Sequence, residues 1–378
     1  MTSSHPGIAI LGSGFAALTA ARELRRRDSR IPITLIAPSA EFVYAPSLIW
    51  LPTGLRQAAD LRFSLDAQLA RLDVRFVSAR VRSLEDGGRT VVTDAGKHAN
   101  DGLVIACGAR FIKKLPGIEH ALTICEGIAP AEKLRQRLLE LREGTLALGF
   151  SANPAEPQAV RGGPMFELLF GVDTWLRRQG FRSRFELVFF SPAEKPGQRL
   201  GGKAVERLLA EMQRRGIRTH LGHKLEGFCA NGVRTAGGNF DASLIAFMPG
   251  LTGPDWAAAS GLPLSPGGFI QADAHCRVTG AERVYVAGDS GSYPGPDWLP
   301  KQAHMADLQA RAAAANLIDE MAGRAPCAVP RPELICIVDS LDGGMLIYRD
   351  EKRNLMLGGR WLHHAKRFFE WHYLRPLR

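Results

Sequence analysis

Short apolar runs alternate along this chain with amphipathic stretches, the pattern of an α/β protein built on buried parallel strands. GIAILGSGFAALTAARELRRR (7–27) reads as a strand, a glycine turn and a helix with apolar residues at helical spacing. ITLIA (33–37) is a second strand, and RFVSARVRSLEDGGRTVVTDAG (75–96) reads as a hairpin feeding a small sheet. DGLVIACGAR (101–110) is a buried parallel-strand run closing on small residues. RVYVAGDSG (283–291) is another, and it precedes a helix expected to start near Lys301. Between these lies a second βαβ pattern: LALGF, a helix over 166–180, the strand FELVFF (185–190) and a helix over 203–216.

The first turn carries the first candidate chemistry. Gly12-Ser13-Gly14-Phe15-Ala16-Ala17 fits G-x-G-x-x-A between a first strand and a first helix. Gly12 permits the tight turn, Gly14 lets backbone approach a pyrophosphate, and Ala17 lets the helix pack closely on the strand. Phe15 opens a helix whose N-terminal N–H groups face the phosphates. The second strand should end in an acidic residue for the adenosine ribose, but it ends in Ala37-Pro38-Ser39. Ser39 offers a weaker hydrogen bond, or Glu41 reaches back; that departure counts against a nicotinamide here more than against FAD. Val81 stands where backbone meets an adenine, Ala106-Cys107-Gly108 closes the third run, and Gly288-Asp289 ends the last. An Asp at that strand end binds a ribityl hydroxyl, and the following helix N-terminus stabilises charge at a flavin pyrimidine. Lys301 and Gln302 are candidates to point at that pyrimidine or at a quinone headgroup. Together these stretches point to FAD.

Composition narrows the class. At 378 residues the chain has room for two or three domains. No run of eighteen apolar residues appears, so no transmembrane helix is expected. MTSSHPGIAILGSG lacks a basic leader with a long apolar stretch and cleavage site, which reads as a cytoplasmic protein. The six cysteines stand singly at 107, 125, 229, 276, 327 and 336, and without a C-x-x-C pair no metal site is expected. The net charge of +10 calls for an acidic partner surface, nucleic acid or anionic lipid. No recognition motif supports nucleic acid. From Arg360 onward five Lys/Arg and three His face a single Glu. Trp361, Leu362, Phe368, Phe369, Trp371, Tyr373 and Leu374 are interleaved, as in an interfacial anchor. The alternative is a terminal helix docked on its own domain or on a second subunit of a homodimer.

GSGFAA, LVIACGAR and VYVAGD together resemble the two-dinucleotide-domain FAD oxidoreductases of the pyridine nucleotide-disulfide type. The resemblance implies two Rossmann-like domains: an FAD domain from 1–143 and 248–325, and an insert over 144–247. A quinone- or membrane-facing segment follows over 326–378. Four further stretches look like sulfide:quinone oxidoreductases and the flavocytochrome c sulfide dehydrogenase flavoprotein. They are FVYAPSLIWLPTG (42–54, with Pro46 among the expected FAD contacts), RGGPMFELLFGVD (161–173), ICIVDSLDGG (335–344) and GGRWLHHAKRFFEWHYLRPLR (358–378).

That branch implies a peripheral enzyme on the cytoplasmic face of a membrane, passing electrons from a small reduced sulfur compound through FAD to quinone. It uses two cysteines bridged through sulfur beside the flavin. One matches Cys336; the other belongs to a Ser-Cys-x-Gly-Pro-like loop, matched here to Ser151 followed by Ala152. A single thiolate near a flavin still forms a charge-transfer pair or an adduct, whereas Cys336 also reads as a strand core residue. Cys125 matches a third family cysteine near the flavin 8-methyl edge, or is a buried structural thiol. Glu167 reads as a proton carrier or as an ordinary first-turn helix acid. A nicotinamide site would need G-x-G-x-x-G after LALGF, where the chain gives Gly149-Phe150-Ser151-Ala152-Asn153-Pro154. Two alternatives stay open: a type II NADH:quinone reductase-like enzyme, and a flavin-binding partner subunit without its own sulfur chemistry.

Overall fold

Ile8–Leu11 is the middle strand of a five-stranded parallel sheet in the computed structural model, which describes residues 6–377. From one edge the order is Val284–Val286, Gly102–Ile105, Ile8–Leu11, Ile33–Ala37 and Val74–Ser78. Ile8 lies opposite Gly102 on one side and Ile33 on the other. The strands are apolar throughout because helices and a small sheet cover both faces. On one face the Phe15–Arg27 and Ala303–Met321 helices lie against each other through Ala17, Ala20 and Ala21 and through Ala310, Ala313 and Ala314. Side chains this small allow close helix approach.

The hairpin reading of 75–96 needs a correction. Val74–Ser78 is the edge strand of the parallel sheet, in register with Ile33–Ala37. The antiparallel sheet is Val81–Glu85, Thr90–Thr93 and Gly96–Ala99. The helix expected to start near Lys301 begins at Ala303.

A second five-stranded parallel sheet runs Ala121–Leu122, Leu244–Met248, Gly144–Phe150, Phe185–Ser191 and Arg218–Leu221. The Gly163–Arg178 and Gly202–Arg214 helices pack on it. Phe166 meets Phe150 at 5.4 Å and Phe189 at 5.2 Å between ring centroids, which locks the Gly163–Arg178 helix to the strands beneath it.

Cys336 sits in the first strand of an antiparallel meander, Leu334–Asp339, Gly344–Arg349 and Asn354–Gly359. The Trp361–Leu374 helix follows and folds back on the chain. Its Leu362 and Leu374 are buried and Tyr373 packs against Phe15 at 5.1 Å, so these three do not share the outward face expected of them. Among the described residues no helix is long and apolar enough to cross a membrane. Residues 1–5 of the leader reading and Arg378 of the C-terminal segment lie outside the described residues.

Candidate active site

The carboxyl ends of both parallel sheets and the C-terminal meander and helix enclose one cavity of about 1910 Å³. This exceeds the roughly 300–1,000 Å³ of a drug-sized ligand pocket and suits an extended dinucleotide. Gly12 stands at its floor with φ +111°, and a Cβ there would lie 2.4 Å from the Ala106 carbonyl oxygen. Only glycine lets these two strand ends come so close. A Cβ on Gly14 would meet nothing within 4 Å, so open space stands above that residue. The helix it opens has no side-chain cap, leaving N–H donors for phosphate oxygens.

Of the residues assigned to FAD, Gly12, Gly14, Phe15, Pro46, Val81, Ala106, Cys107, Gly108, Gly288, Asp289, Lys301 and Gln302 line this cavity. Ala17 does not; it is fully buried in the core beneath the helix. Ser39 is exposed and does not line the cavity, whereas Pro38, Arg80 and Arg82 do. Gln302 Oε1 is buried without a hydrogen-bond partner, at the start of a helix with no side-chain cap. A buried orphan acceptor in a cavity wall is what a polar ligand satisfies. These features fit FAD.

Cys336, Cys125 and Glu167 line the same cavity. A Cβ on Gly163 would lie 3.6 Å from Cys336 Sγ, so the helix start packs on that thiol. Burial, reinforced by Glu167, pushes the Cys336 thiol up to about 12. Burial pushes Cys125 up to about 11. Glu167 accepts from the Asp339 backbone N–H at 3.2 Å and pairs with Lys366. Burial raises its carboxyl to about 7 against the lowering pull of Lys366. Asp339 in turn accepts from Trp50 Nε1 at 2.7 Å and lies 2.9 Å from His363 Nδ1.

Lys301 Nζ donates to the carbonyls of Gly291 at 2.7 Å and Asp289 at 3.2 Å, and lies 3.8 Å from the Phe269 ring centroid. Burial brings it down to about 8. The Asp289 carboxylate is paired with Arg161. Arg161, Arg199 and Lys366 went unassigned in the sequence. Lys366 was legible only as one of several basic residues in HHAKRFF, and Arg161 only as the neighbour of a glycine-rich turn.

The loop after Gly144–Phe150 departs from a nucleotide-binding turn. Twelve residues separate that strand from the Gly163–Arg178 helix, where a dinucleotide turn passes almost directly into its helix. Asn153 is buried and pins the loop elsewhere, its Nδ2 donating to Leu251 O at 2.8 Å and Gly267 O at 3.0 Å.

The model of the pyridine nucleotide-disulphide oxidoreductase family matches residues 6–310. The chain belongs to that family. Among these oxidoreductases it is 24% identical to the sulfide-quinone reductase of Aquifex aeolicus, over 98% of this chain and 91% of that one. The crystal structure of the Aquifex aeolicus sulfide:quinone oxidoreductase superposes with a TM-score of 0.89 at 23% identity, covering 98% and 91% of the two chains. A type II NADH:quinone oxidoreductase of Mycobacterium tuberculosis is 25% identical over 84% of this chain and 73% of its own. An NAD-dependent persulfide reductase from A. fulgidus shares the fold at a TM-score of 0.69 and 19% identity, covering 91% of this chain and 64% of its own. The resemblance to the sulfide-quinone reductase branch thus runs along nearly the whole chain, and the protein is an oxidoreductase.

Proposed function

We propose that the protein is an FAD-dependent, peripheral membrane oxidoreductase that takes electrons from a small reduced sulfur compound and delivers them to quinone at the cytoplasmic face of a membrane. The observation that carries this reading is the convergence of a dinucleotide cradle, the Cys336 thiol and the Glu167–Lys366 pair on one cavity. The Phe15–Arg27 helix start and Gly12 would hold the FAD pyrophosphate, and Gly288-Asp289, Lys301 and Gln302 would hold its ribityl and pyrimidine end. Bound FAD supplies the two-electron acceptor. Cys336 meets the sulfur donor, and Glu167, poised near neutrality, holds or gives up a proton at Oε1, the oxygen that does not accept from Lys366 and Asp339.

The same helix that supplies Lys366 to the cavity exposes Trp361, Phe368, Phe369 and Trp371 on its outer side. Phe369 and His372 also line the cavity, so its mouth opens at the aromatic surface, where a lipid-borne quinone would arrive. The resemblance to an NADH:quinone oxidoreductase raises a second reading, with NADH as donor. The twelve-residue loop after Phe150 and its Pro154 count against it.

The test is anaerobic and uses the FAD-loaded protein. Sulfide is expected to bleach the visible flavin band, and a short-chain quinone to restore it. Cys336→Ser should remove the sulfide response while retaining bound flavin. Bleaching by NADH in place of sulfide would overturn the reading in favour of the second.

A further inference from the structure

The thiol loop expected in this branch reads Ser-Cys-x-Gly-Pro. The Gly-Pro that opens a helix against Cys336 is Gly163-Pro164, and counting back along x-Gly-Pro reaches Arg161 rather than Ala152. Both positions line the cavity, but the backbone at Ala152 is packed against Gly250, where a Cβ would lie 2.4 Å from the Ala152 carbonyl carbon, whereas Gly163, two residues after Arg161, abuts Cys336. Arg161 lines the cavity, lies over the Phe111 ring at 5.9 Å and pairs with Asp289. A guanidinium therefore holds the chain position of the second thiol.

It does not stand alone. Arg199 lines the same wall and donates to Gln158 O at 3.0 Å and Val160 O at 2.6 Å, carbonyls of the loop that carries Arg161. No carboxylate lies within ion-pair distance of Arg199 among the described residues. Burial, opposed by the pull of Asp289 and joined by the neighbouring Arg161, brings it down to about 10. Lys301 also donates only to carbonyls, with Glu156 behind it already bonded to the hydroxyls of Ser265 and Ser292. Arg161 and Lys366 have carboxylate partners in Asp289 and Glu167, and Lys301 is assigned to the flavin pyrimidine, which leaves the Arg199 guanidinium, felt at Cys336, without an ion-pair partner. An enclosed cation without a paired counter-charge is costly, and an anionic ligand relieves that cost. The FAD pyrophosphate has its own donors at Gly12–Ala17, so it does not account for Arg199.

We propose that Arg161 and Arg199 form an anion subsite beside Cys336, so that the sulfur donor is received as a small anion held by guanidinium groups instead of being passed between two thiols. This rests on the reading of Cys336 as the donor-side thiol. A planar guanidinium presents paired N–H donors. The subsite therefore favours a sulfur anion with at least two acceptor atoms beyond its nucleophilic sulfur, as the three oxygens of thiosulfate provide, over hydrosulfide, which has none.

The experiment is a titration of FAD-loaded protein with thiosulfate, followed in the flavin band and by calorimetry, with sulfate and chloride in parallel. Saturable thiosulfate binding is expected, weakened about tenfold or more in Arg161→Ala and in Arg199→Ala, the loss of one charge-assisted contact. Arg161→Lys should recover part of it. Arg161→Cys should lose thiosulfate binding and gain speed in flavin reduction by sulfide. Flavin content and Tm of each variant separate lost binding from lost folding, and the charge-keeping Arg161→Lys remains informative should Arg161→Ala not fold. Equal affinity in wild type and Arg161→Ala overturns the proposal, as does binding no tighter than that of chloride. If thiosulfate binds wild type and Arg161→Ala alike while sulfide still reduces the flavin, the subsite is refuted and the sulfur-to-quinone reading stands. If no sulfur compound reduces the flavin yet thiosulfate binding depends on Arg161, that reading fails and the subsite stands.

Discussion

Glu167 takes its properties from an apolar wall that buries it, the ammonium of Lys366 and the amide of Asp339. Burial raises its carboxyl to about 7, from the usual 4.5, while Lys366 pulls the other way. The folded protein therefore holds a proton on Glu167 between those two values, where the unfolded chain has released it. The proton excess of the folded state makes the contribution of Glu167 to stability fall as pH rises through that window. In turnover the same group should give an inflection near neutrality in the pH dependence of quinone-linked flavin reoxidation. Glu167→Gln is expected to abolish the inflection, and Lys366→Met to move it to higher pH, because the stabilising cation is gone. An inflection that persists in Glu167→Gln would assign it to another group. Glu167 was legible in the sequence as a candidate, but its partner was not. Lys366 stands 199 positions away, and nothing local distinguishes it from the solvent-facing Arg367 beside it.

At the scale of elements, the strands that stay buried on both faces were readable as unbroken apolar runs, and Ile33–Ala37 matches its expected bounds to the residue. The strands Gly344–Arg349 and Asn354–Gly359 were not foreseen. Leu355 and Leu357 point outward and Gly358-Gly359 ends the run, so the usual apolar-in, polar-out alternation is absent. A terminal helix docked on its own domain is the alternative reading of the C-terminal segment, and the Trp361–Leu374 helix does dock, but the ion pair that holds it was not legible. Arg56 Nε donates to both carboxylate oxygens of Glu370, at 3.1 and 3.0 Å, with the Glu370 side chain only 3% exposed. Removing one partner of such a pair leaves a charge without compensation, a loss of about 3–5 kcal/mol. Glu370→Gln should therefore lower the denaturant midpoint of the unfolding transition that reports this helix. An unchanged midpoint would mean that the aromatic contacts of Tyr373 with Phe15 and Tyr44 hold the helix without the ion pair.

For the whole molecule, each βαβ unit announces itself locally, so two nucleotide-type sheets were legible. The charge lining the shared cavity was not, because it arises where the sheets and the C-terminal segment meet: Arg161 and Asp289 are 128 positions apart. The same meeting puts the cavity mouth beside the exposed aromatic surface of the last helix. Phe368 is 58% exposed and Trp371 45%, neither lines the cavity, and their rings lie 5.7 Å apart. Arg367 and Arg375 are exposed on that helix and at its end, with Arg375 over the Trp371 ring, so cations stand beside the apolar rings, as headgroup-level binding requires. Transferring one such ring from water to an acyl boundary is worth about 1.5–3 kcal/mol. The double variant Phe368→Ser, Trp371→Ser should then lose vesicle co-sedimentation by about two orders of magnitude or more. Because both side chains already face water, its Tm and flavin spectrum should match wild type. Binding of the wild type to anionic vesicles should also fall with added salt, whereas the aromatic share, read on zwitterionic vesicles, should not. Undiminished vesicle binding by the double variant would detach the aromatic surface from the membrane, and the covered face of a second subunit would become its better explanation.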